Sequence, residues 1–303
     1  MMFLLVDHDH QLLLLDSEKR ISRFLRDIIF VLKEVSFVPA ELLYGRTSFQ
    51  KRMRVALKFA YDGRSFSGYA KQPGQKTIEG NLLQILRENH LIETASHACF
   101  RTASRTDRGV SALGNVCAFN TTVSISDISR SFTKDNGLLF LYGVKKVPDD
   151  FYPRYAKRRI YRYYLYNDAL DVDAVLSAAS LFTGEHDFRN FARVEPLKNP
   201  VRCLDTIIIT EKNDFLSIDF FAETFLWNQI RRIVSALEKA GQGKLALSQI
   251  QHALDHPEKR VDFQLAPPEP LILLDVVYDF SFQFSKSYSQ KLRRLEETIL
   301  SSL

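Results

Sequence analysis

The chain changes its hydrophobic period near Arg54, and that change does most to limit the folds open to it. Before it, Phe24, Leu25, Ile28, Ile29 and Leu32 recur at helical spacing behind a candidate N-cap at Asp16 or Ser17, which predicts an amphipathic helix from Ile21. A polar, basic junction, YGRTSFQKRMR, follows. In RVALKFAY the period becomes two, with Val55, Leu57, Phe59 and Tyr61 on one face of a strand, so a new unit begins there.

Beyond that strand, strands and helices alternate. DGRSFSGYAKQPGQ is a turn-rich loop, and Thr77 caps a helix with the apolar face Ile78, Leu82, Ile85 and Leu86. Two strands flank the stretch CFRTASRTDRGVSALGNVCAF, the second ending in NVCAFN, before a short helix in ISDISRSFTKD and a strand in LLFLYGVKKV. After the turn PDD the theme repeats: a strand (IYRYYLYN), a helix (VDAVLSAASLF), two strands (LDTIIITE and FLSIDFFAE) and a helix (FLWNQIRRIVSALEKAG). Gly241 then supplies a helix stop, LALSQIQHAL a further helix, PLILLDVVYDF a last strand and KLRRLEETILSSL a surface helix. The pattern predicts an α+β protein with two similar halves, residues 54–158 and 159–280, between an N-terminal extension (1–53) and a C-terminal helix (281–303). Residues 1–53 are either an added helix or an overlong start.

With 46% hydrophobic and 25% charged residues over 303 positions, the chain has enough apolar material for a core without covalent staples. Cys99, Cys117 and Cys203 are odd in number and form no CxxC pair, which argues against a zinc site and a disulfide framework and for a reducing, cytoplasmic setting. The opening MMFLLVDHDH lacks the basic region of an export signal, and no later run is apolar for long enough to span a membrane, so a soluble protein is expected. No HExxH, GxSxG, Walker loop or GxGxxG occurs, and His186, in GEHDF, is expected to make a structural hydrogen bond. A net charge of +5 tilts the chain mildly toward polyanions.

Three constellations could carry chemistry. Asp107 is flanked by Arg105 and Arg108 in a glycine-bearing loop; positive charge beside a carboxylate favours an anion suited to act as nucleophile, base or electrostatic partner, although a surface ion pair has the same spacing. In RYAKRRIYRYY, Arg154, Lys157, Arg158, Arg159 and Arg162 interleave with tyrosines, a mixture that holds phosphates and stacks on the bases of partly unstacked RNA, or equally forms a half-buried strand with a basic edge. Strand geometry puts Tyr161 and Tyr163 on one face and Arg162 on the other. In FLWNQIRRIVSALEKAG, the stripe Leu226, Ile230, Ile233, Val234 and Leu237 faces a core, while Trp227 and Arg231 lie one turn apart beside it; Arg231 either enters a cleft or snorkels over an apolar edge.

At these residues the chain resembles the TruA family of tRNA pseudouridine synthases. SRTDRGVSALGNVCAF is similar to the family's nucleophile motif, GRTDxGVHAxGQVxxF. YDGRSFSGYAKQPGQKTIEGNL, VPDDFYPRYAKRRIYRYYLYN, GEHDFRNFAR, FLWNQIRRIVSALEKAG and APPEPLILLDV match other family segments in order, over roughly residues 54 to 280. The resemblance implies Asp107 as nucleophile and Arg105 as the arginine that helps extrude the target nucleotide. It also implies that Tyr161 stacks on the base and handles the C5 proton and that Arg231 pairs with the aspartate; Arg158, Arg159 and Arg162 of the basic, tyrosine-rich stretch are then the expected RNA contacts. It implies two α+β subdomains sharing a continuous, mostly antiparallel sheet flanked by helices, with a basic central cleft, in a homodimer that grips tRNA and needs no cofactor or metal. The usual targets are uridines of the anticodon stem-loop, at about positions 38 to 40, and the target uridine must leave its stack to react. The carboxylate can attack C1′ or C6, or stabilise a detached base and glycal; these routes stay open. Ser104, Arg108, Ser111 and Asn115 depart from the family pattern, which leaves room for a noncatalytic RNA-binding protein on the same scaffold, or for an interaction protein with merely solvated charges.

Overall fold

Strand β1 (Met53–Tyr61) is buried along nearly its whole length, so the sheet it belongs to must be covered on both faces. The computed structural model describes residues 52–132, 138–282, 284 and 286–303, all within the unit Lys51–Leu303; the helix expected from Ile21 and nearly all of the 1–53 extension lie outside the described residues. The two-residue period holds: Val55, Leu57, Phe59 and Tyr61 enter the main core, while Ala60 packs on the opposite face with Phe140 and Tyr142. On that second face Lys58 is ion-paired with Asp275.

β1 pairs antiparallel with β3 (Ser111–Thr121) and β4 (Leu139–Val147), and the short β2 (Arg101–Thr102) adds to β3. β5 (Arg158–Tyr166), β9 (Phe215–Ala222) and β8 (Thr206–Lys212) pair antiparallel in that order. The last strand, β10 (Leu271–Val277), joins the two sets: it runs antiparallel to β5 and parallel to β3, with Ile272 opposite Ser111. The result is one continuous sheet in the order β4-β1-β3-β10-β5-β9-β8, mostly antiparallel, with β6 (Gly184–Asp187) and β7 (Val201–Leu204) forming a separate ribbon. A parallel pair needs a long crossover, and β10 reaches the middle of the sheet only because most of the chain lies between it and β3.

Helix α1 (Ile78–Glu88) begins where Thr77 Oγ1 accepts from Gly80 N, and it buries the expected face together with Leu83. α2 (Ile125–Ser131), α3 (Val172–Ser180), α4 (Gln229–Gly241) and α5 (Leu247–Asp255) follow the sequence expectation in place and order. Three details differ. α4 starts at Gln229 because Asn228 is left-handed (φ 63°, ψ 8°), so Trp227 and Leu226 precede the helix. α4 ends at Gly241 as expected, but for another reason: the left-handed turn falls at Gly243 (φ 69°), and a Cβ at Gly241 would stand 2.6 Å from Val175 Cγ2, so this glycine permits close packing on α3. α6 (Lys286–Leu300) is not merely a surface helix. It covers the second face of the sheet, with Leu292, Leu295 and fully buried Ile299 against Leu113, Tyr164 and Ile272. Burial of Ile299 alone contributes about 1.5–3 kcal/mol.

Gly63 ties the first turn after β1 to the start of β3. Its N–H donates to Ser111 Oγ at 3.0 Å, and a Cβ would lie 2.0 Å from Val110 O. Backbone cannot retreat as a flexible side chain can, so Gly63→Ala should destabilise the fold by about 3 kcal/mol, the upper end of ordinary overpacking, read as a lower urea midpoint at unchanged slope.

Candidate active site

Residues 102–106, which lead to Asp107, are held by buried polar groups from four directions. From β1, Tyr61 Oη and Thr106 Oγ1 share a hydrogen bond of 2.9 Å. From β3, Asn115 Nδ2 donates to Ser104 O at 2.9 Å, and Tyr69 Oη donates to Thr102 Oγ1 at 2.7 Å from the loop before α1. From β5, Arg159 donates through Nε to Ser104 Oγ and through Nη2 to Ala103 O, both at 3.0 Å, and also to the carbonyls of Arg154 and Glu223. Arg159 is buried, and desolvation pulls its guanidinium pKa down from the ordinary range.

Two donors hold the Asp107 carboxylate at the end of this loop. Trp227 Nε1 donates to Oδ1 at 3.0 Å, and Arg231 Nη1 donates to Oδ2 at 3.3 Å. Arg231 stands in the first turn of α4, where its Nε donates to Ala266 O at 2.8 Å. Its side chain is 12% exposed against 32% for Asp107, so the arginine backs the carboxylate while the carboxylate faces solvent. Both lie in a cleft of about 790 Å³ over the middle strands, lined also by Arg105, Arg108, Tyr161 and Phe225. Arg154, Arg159, Lys198 and Arg202 add positive charge to its walls, and Glu195 opposes them.

Tyr161 meets Phe225 edge to face at 5.3 Å. Burial raises its phenol pKa, against the opposing influence of Arg159 and a hydrogen bond with Ser104. Tyr61 and Tyr69 are raised for the same first reason. All three are therefore neutral at ordinary pH, able to donate a hydrogen bond.

The cleft brings together Asp107, Arg105, Tyr161, Arg231 and Arg159 but not the other two arginines named for RNA contact. Alternation along β5 separates them: Arg158 pairs with Asp205, and Arg162 lies on the second face, held by Asp219 at 2.7 Å and Glu296 at 3.1 Å. Arg159 faces the cleft, yet the hydrogen bonds above commit it to the loop. Of the residues that depart from the family pattern, Ser104, Ser111 and Asn115 are buried and hydrogen-bonded to scaffold, while Arg108 is exposed on the cleft. The scaffold role of Arg159 and the second donor, Trp227, were not legible as such: one looks like an RNA-binding arginine, the other like a helix residue. His186 makes the expected structural contact, with Thr183 O at 3.1 Å. Among the described residues no cluster of three or more His, Cys, Asp or Glu could hold a metal ion, and no helix is long and apolar enough to cross a membrane.

Arg159→Met removes four hydrogen bonds and leaves neutral buried acceptors unmet, at about 1–3 kcal/mol for each that water cannot reach, so denaturant unfolding should show a loss of at least about 3 kcal/mol. The tyrosines set the alkaline limit. Their folded pKa values lie above the ordinary 10.0, so their contribution to stability is complete below pH 10 and is lost as pH rises through the higher folded values. Near-UV circular dichroism should therefore stay flat from neutral pH to about 10 and collapse only above it.

Known proteins match this chain over most of its length. A family model described as tRNA pseudouridine synthase matches residues 178–279. The tRNA pseudouridine synthase A of Thermococcus sibiricus is 40% identical over 246 residues, covering 80% of this chain and 91% of that protein. The protein of the same name from Thermococcus kodakarensis is 39% identical over the same shares, and that of Pyrococcus abyssi is 38% identical over 245 residues, 80% of this chain and 91% of its own. Among solved structures, a Cbf5-Nop10-Gar1 complex overlaps 59% of this chain and 44% of its own at 12% identity and a TM-score of 0.32, too slight a likeness to bear on the fold.

Proposed function

Because this chain belongs to the TruA family of tRNA pseudouridine synthases, and is an isomerase that converts uridine to pseudouridine in tRNA, we propose that Asp107 is its reacting carboxylate and that Arg231, Arg105 and Tyr161 serve it. The observation that supports this reading is a solvent-facing carboxylate in a large cleft, backed by a less exposed arginine at 3.3 Å.

The reaction breaks the N1–C1′ glycosidic bond, turns the uracil and forms C5–C1′, with the C5 proton moving to solvent and N1 ending protonated. Atoms and electrons balance within the nucleotide and solvent, so the residues have to extrude it, hold it, assist the exchange of bonds at C1′ and move one proton. Arg105, exposed at the cleft, is suited to fill the space left by the extruded base. Tyr161 offers a ring to stack on, and burial keeps its phenol neutral, so it takes part in C5 proton removal as a hydrogen-bonding oxygen that relays the proton onward. Arg231 stands beside the carboxylate on every route: it faces the anion of the free enzyme, and on a covalent route it faces the oxygens that give up that charge when the ester forms and regain it when the ester breaks.

The target is proposed to be the anticodon stem-loop, at about positions 38 to 40, because a wide, basic cleft suits a stem whose loop bases can be splayed. Exposed Arg108, which belongs to this sequence and not to the family pattern, is then the residue placed to adjust which uridine enters. RNA contacts of Arg158 and Arg162 would have to occur outside the cleft. The same reading takes residues 54–158 and 159–280 as related halves, since β1 to β4 come from the first and β5 to β10 from the second. It places the enzyme in the cytoplasm as a homodimer, for which the expected measurement is twice the chain mass by light scattering.

Asp107→Ala and Asp107→Asn, incubated with unmodified tRNA and mapped for pseudouridine at single-nucleotide resolution, should each lose about a thousandfold or more in rate while still binding tRNA. Full activity in either variant would remove Asp107 from the mechanism. Product found only outside the anticodon stem-loop would reject the target assignment and leave the chemistry standing.

A further inference from the structure

Each oxygen of the Asp107 carboxylate has one donor, and only one of the two donors belongs to the arginine. Arg231 reaches Oδ2 through Nη1 alone, because its Nε is committed to Ala266 O. One donor leaves a carboxylate able to turn about Cβ–Cγ, a torsion with broad preferences. The second donor, Trp227 Nε1 at 3.0 Å from Oδ1, removes that freedom. An indole N–H only donates and lies rigid in the ring plane, so the orientation of the ring sets the plane of the carboxylate.

The ring itself is fixed from behind. The Arg193 guanidinium carbon stands 4.0 Å from the Trp227 ring, and Arg193 N donates to Trp227 O at 2.8 Å. Yet Trp227 is 44% exposed and lines the cleft, which a tryptophan serving only the core would not be. The left-handed turn at Asn228 puts it there: had α4 begun earlier, residue 227 would lie on the helix surface.

We propose that Trp227, held by Arg193, is a positioning residue that fixes the plane of the Asp107 carboxylate before the uridine arrives. One lone pair on each oxygen is occupied by the protein, and the others are presented to the nucleotide. The proposal rests on Asp107 being the reacting carboxylate. Orientation set in advance acts on the chemical step and not on the binding of a large RNA, so its loss belongs in kcat.

Trp227→Phe keeps a flat apolar ring beneath Arg193 and removes the N–H. Its kcat on tRNA should fall about tenfold or more, with KM changed by less than about threefold. Trp227 is the only tryptophan in the sequence, so the unmutated protein carries its own probe: the emission spectrum of the free enzyme should change in Asp107→Ala, which removes the acceptor. Trp227→Phe with unchanged kcat, alongside an inactive Asp107→Ala, would overturn this proposal and leave the assignment of Asp107 intact. An active Asp107→Ala would overturn both. A loss confined to KM would make Trp227 an RNA contact, and so reject positioning. Should Trp227→Phe fail to fold, the emission comparison still decides, and an unchanged spectrum in Asp107→Ala rejects the contact.

Discussion

The burial of one cation, Arg159, underlies the arrangement of the site. Its hydrogen-bond partners are carbonyls and a hydroxyl, not a carboxylate: Ala103 O, Ser104 Oγ, Arg154 O and Glu223 O. A guanidinium taken out of water is tolerated only when its donors are met in a fixed geometry. That geometry draws four segments to one point: the loop before Asp107, the turn before β5, β5 itself and the end of β9. The loop is thereby fastened to the half of the sheet that also supplies Tyr161, and its distance from the cleft wall is set by a rigid fork, not by packing alone.

The carboxylate depends on that fastening because its own partners come from far along the chain. Trp227 and Arg231 are 120 and 124 residues from Asp107, and both are placed by the entry to α4. Two independently held parts must meet within a few tenths of an ångström for a weakly directional 3.3 Å contact and a 3.0 Å hydrogen bond to coexist. The central strands make this possible. β10 pairs with both β3 and β5, so the strand that follows the Asp107 loop and the strand that carries Tyr161 are separated by a single strand of a continuous sheet. Cover on both faces, by α4 on one side and α6 on the other, keeps that sheet from flexing.

Local periodicity and caps made most of the elements legible. Thr77 as a cap, the alternation in β1 and the split of Tyr161 and Tyr163 from Arg162 all depend on near neighbours, and each holds in the structure. What escaped depends on distant residues or on backbone choices with no unique sequence mark. Asn228 could have continued a helix, and only its left-handed conformation moves Trp227 off it. Gly241 looks like a stop, but the need for contact with Val175 explains it better than any turn. Arg159 cannot be told from Arg158 or Arg162 by composition, since what separates a clamp from a surface cation is which carbonyls lie across the sheet. Asp107, Arg105, Tyr161 and Arg231 were nameable together through the ordered family segments, and their meeting in one cleft is geometry that spacing alone did not contain.

The departures from the family pattern now divide by what they touch. Ser111 accepts from Gly63 N, Asn115 donates to Ser104 O, and Ser104 in turn accepts from Arg159, so the three form part of one buried scaffold. Ser111 and Asn115 bond backbone atoms and Ser104 Oγ bonds Arg159, so each of the three side chains contributes its own tie to the path of the loop. Arg108 is outside that scaffold, exposed beside Gly109, whose φ of 87° bends the chain immediately after it. A cation there changes the field at the cleft without changing how the loop is held. If Asp107 is the reacting carboxylate, as proposed, selection among uridines would vary at Arg108 with the geometry around Asp107 held constant, the way one scaffold keeps its chemistry and shifts its substrate.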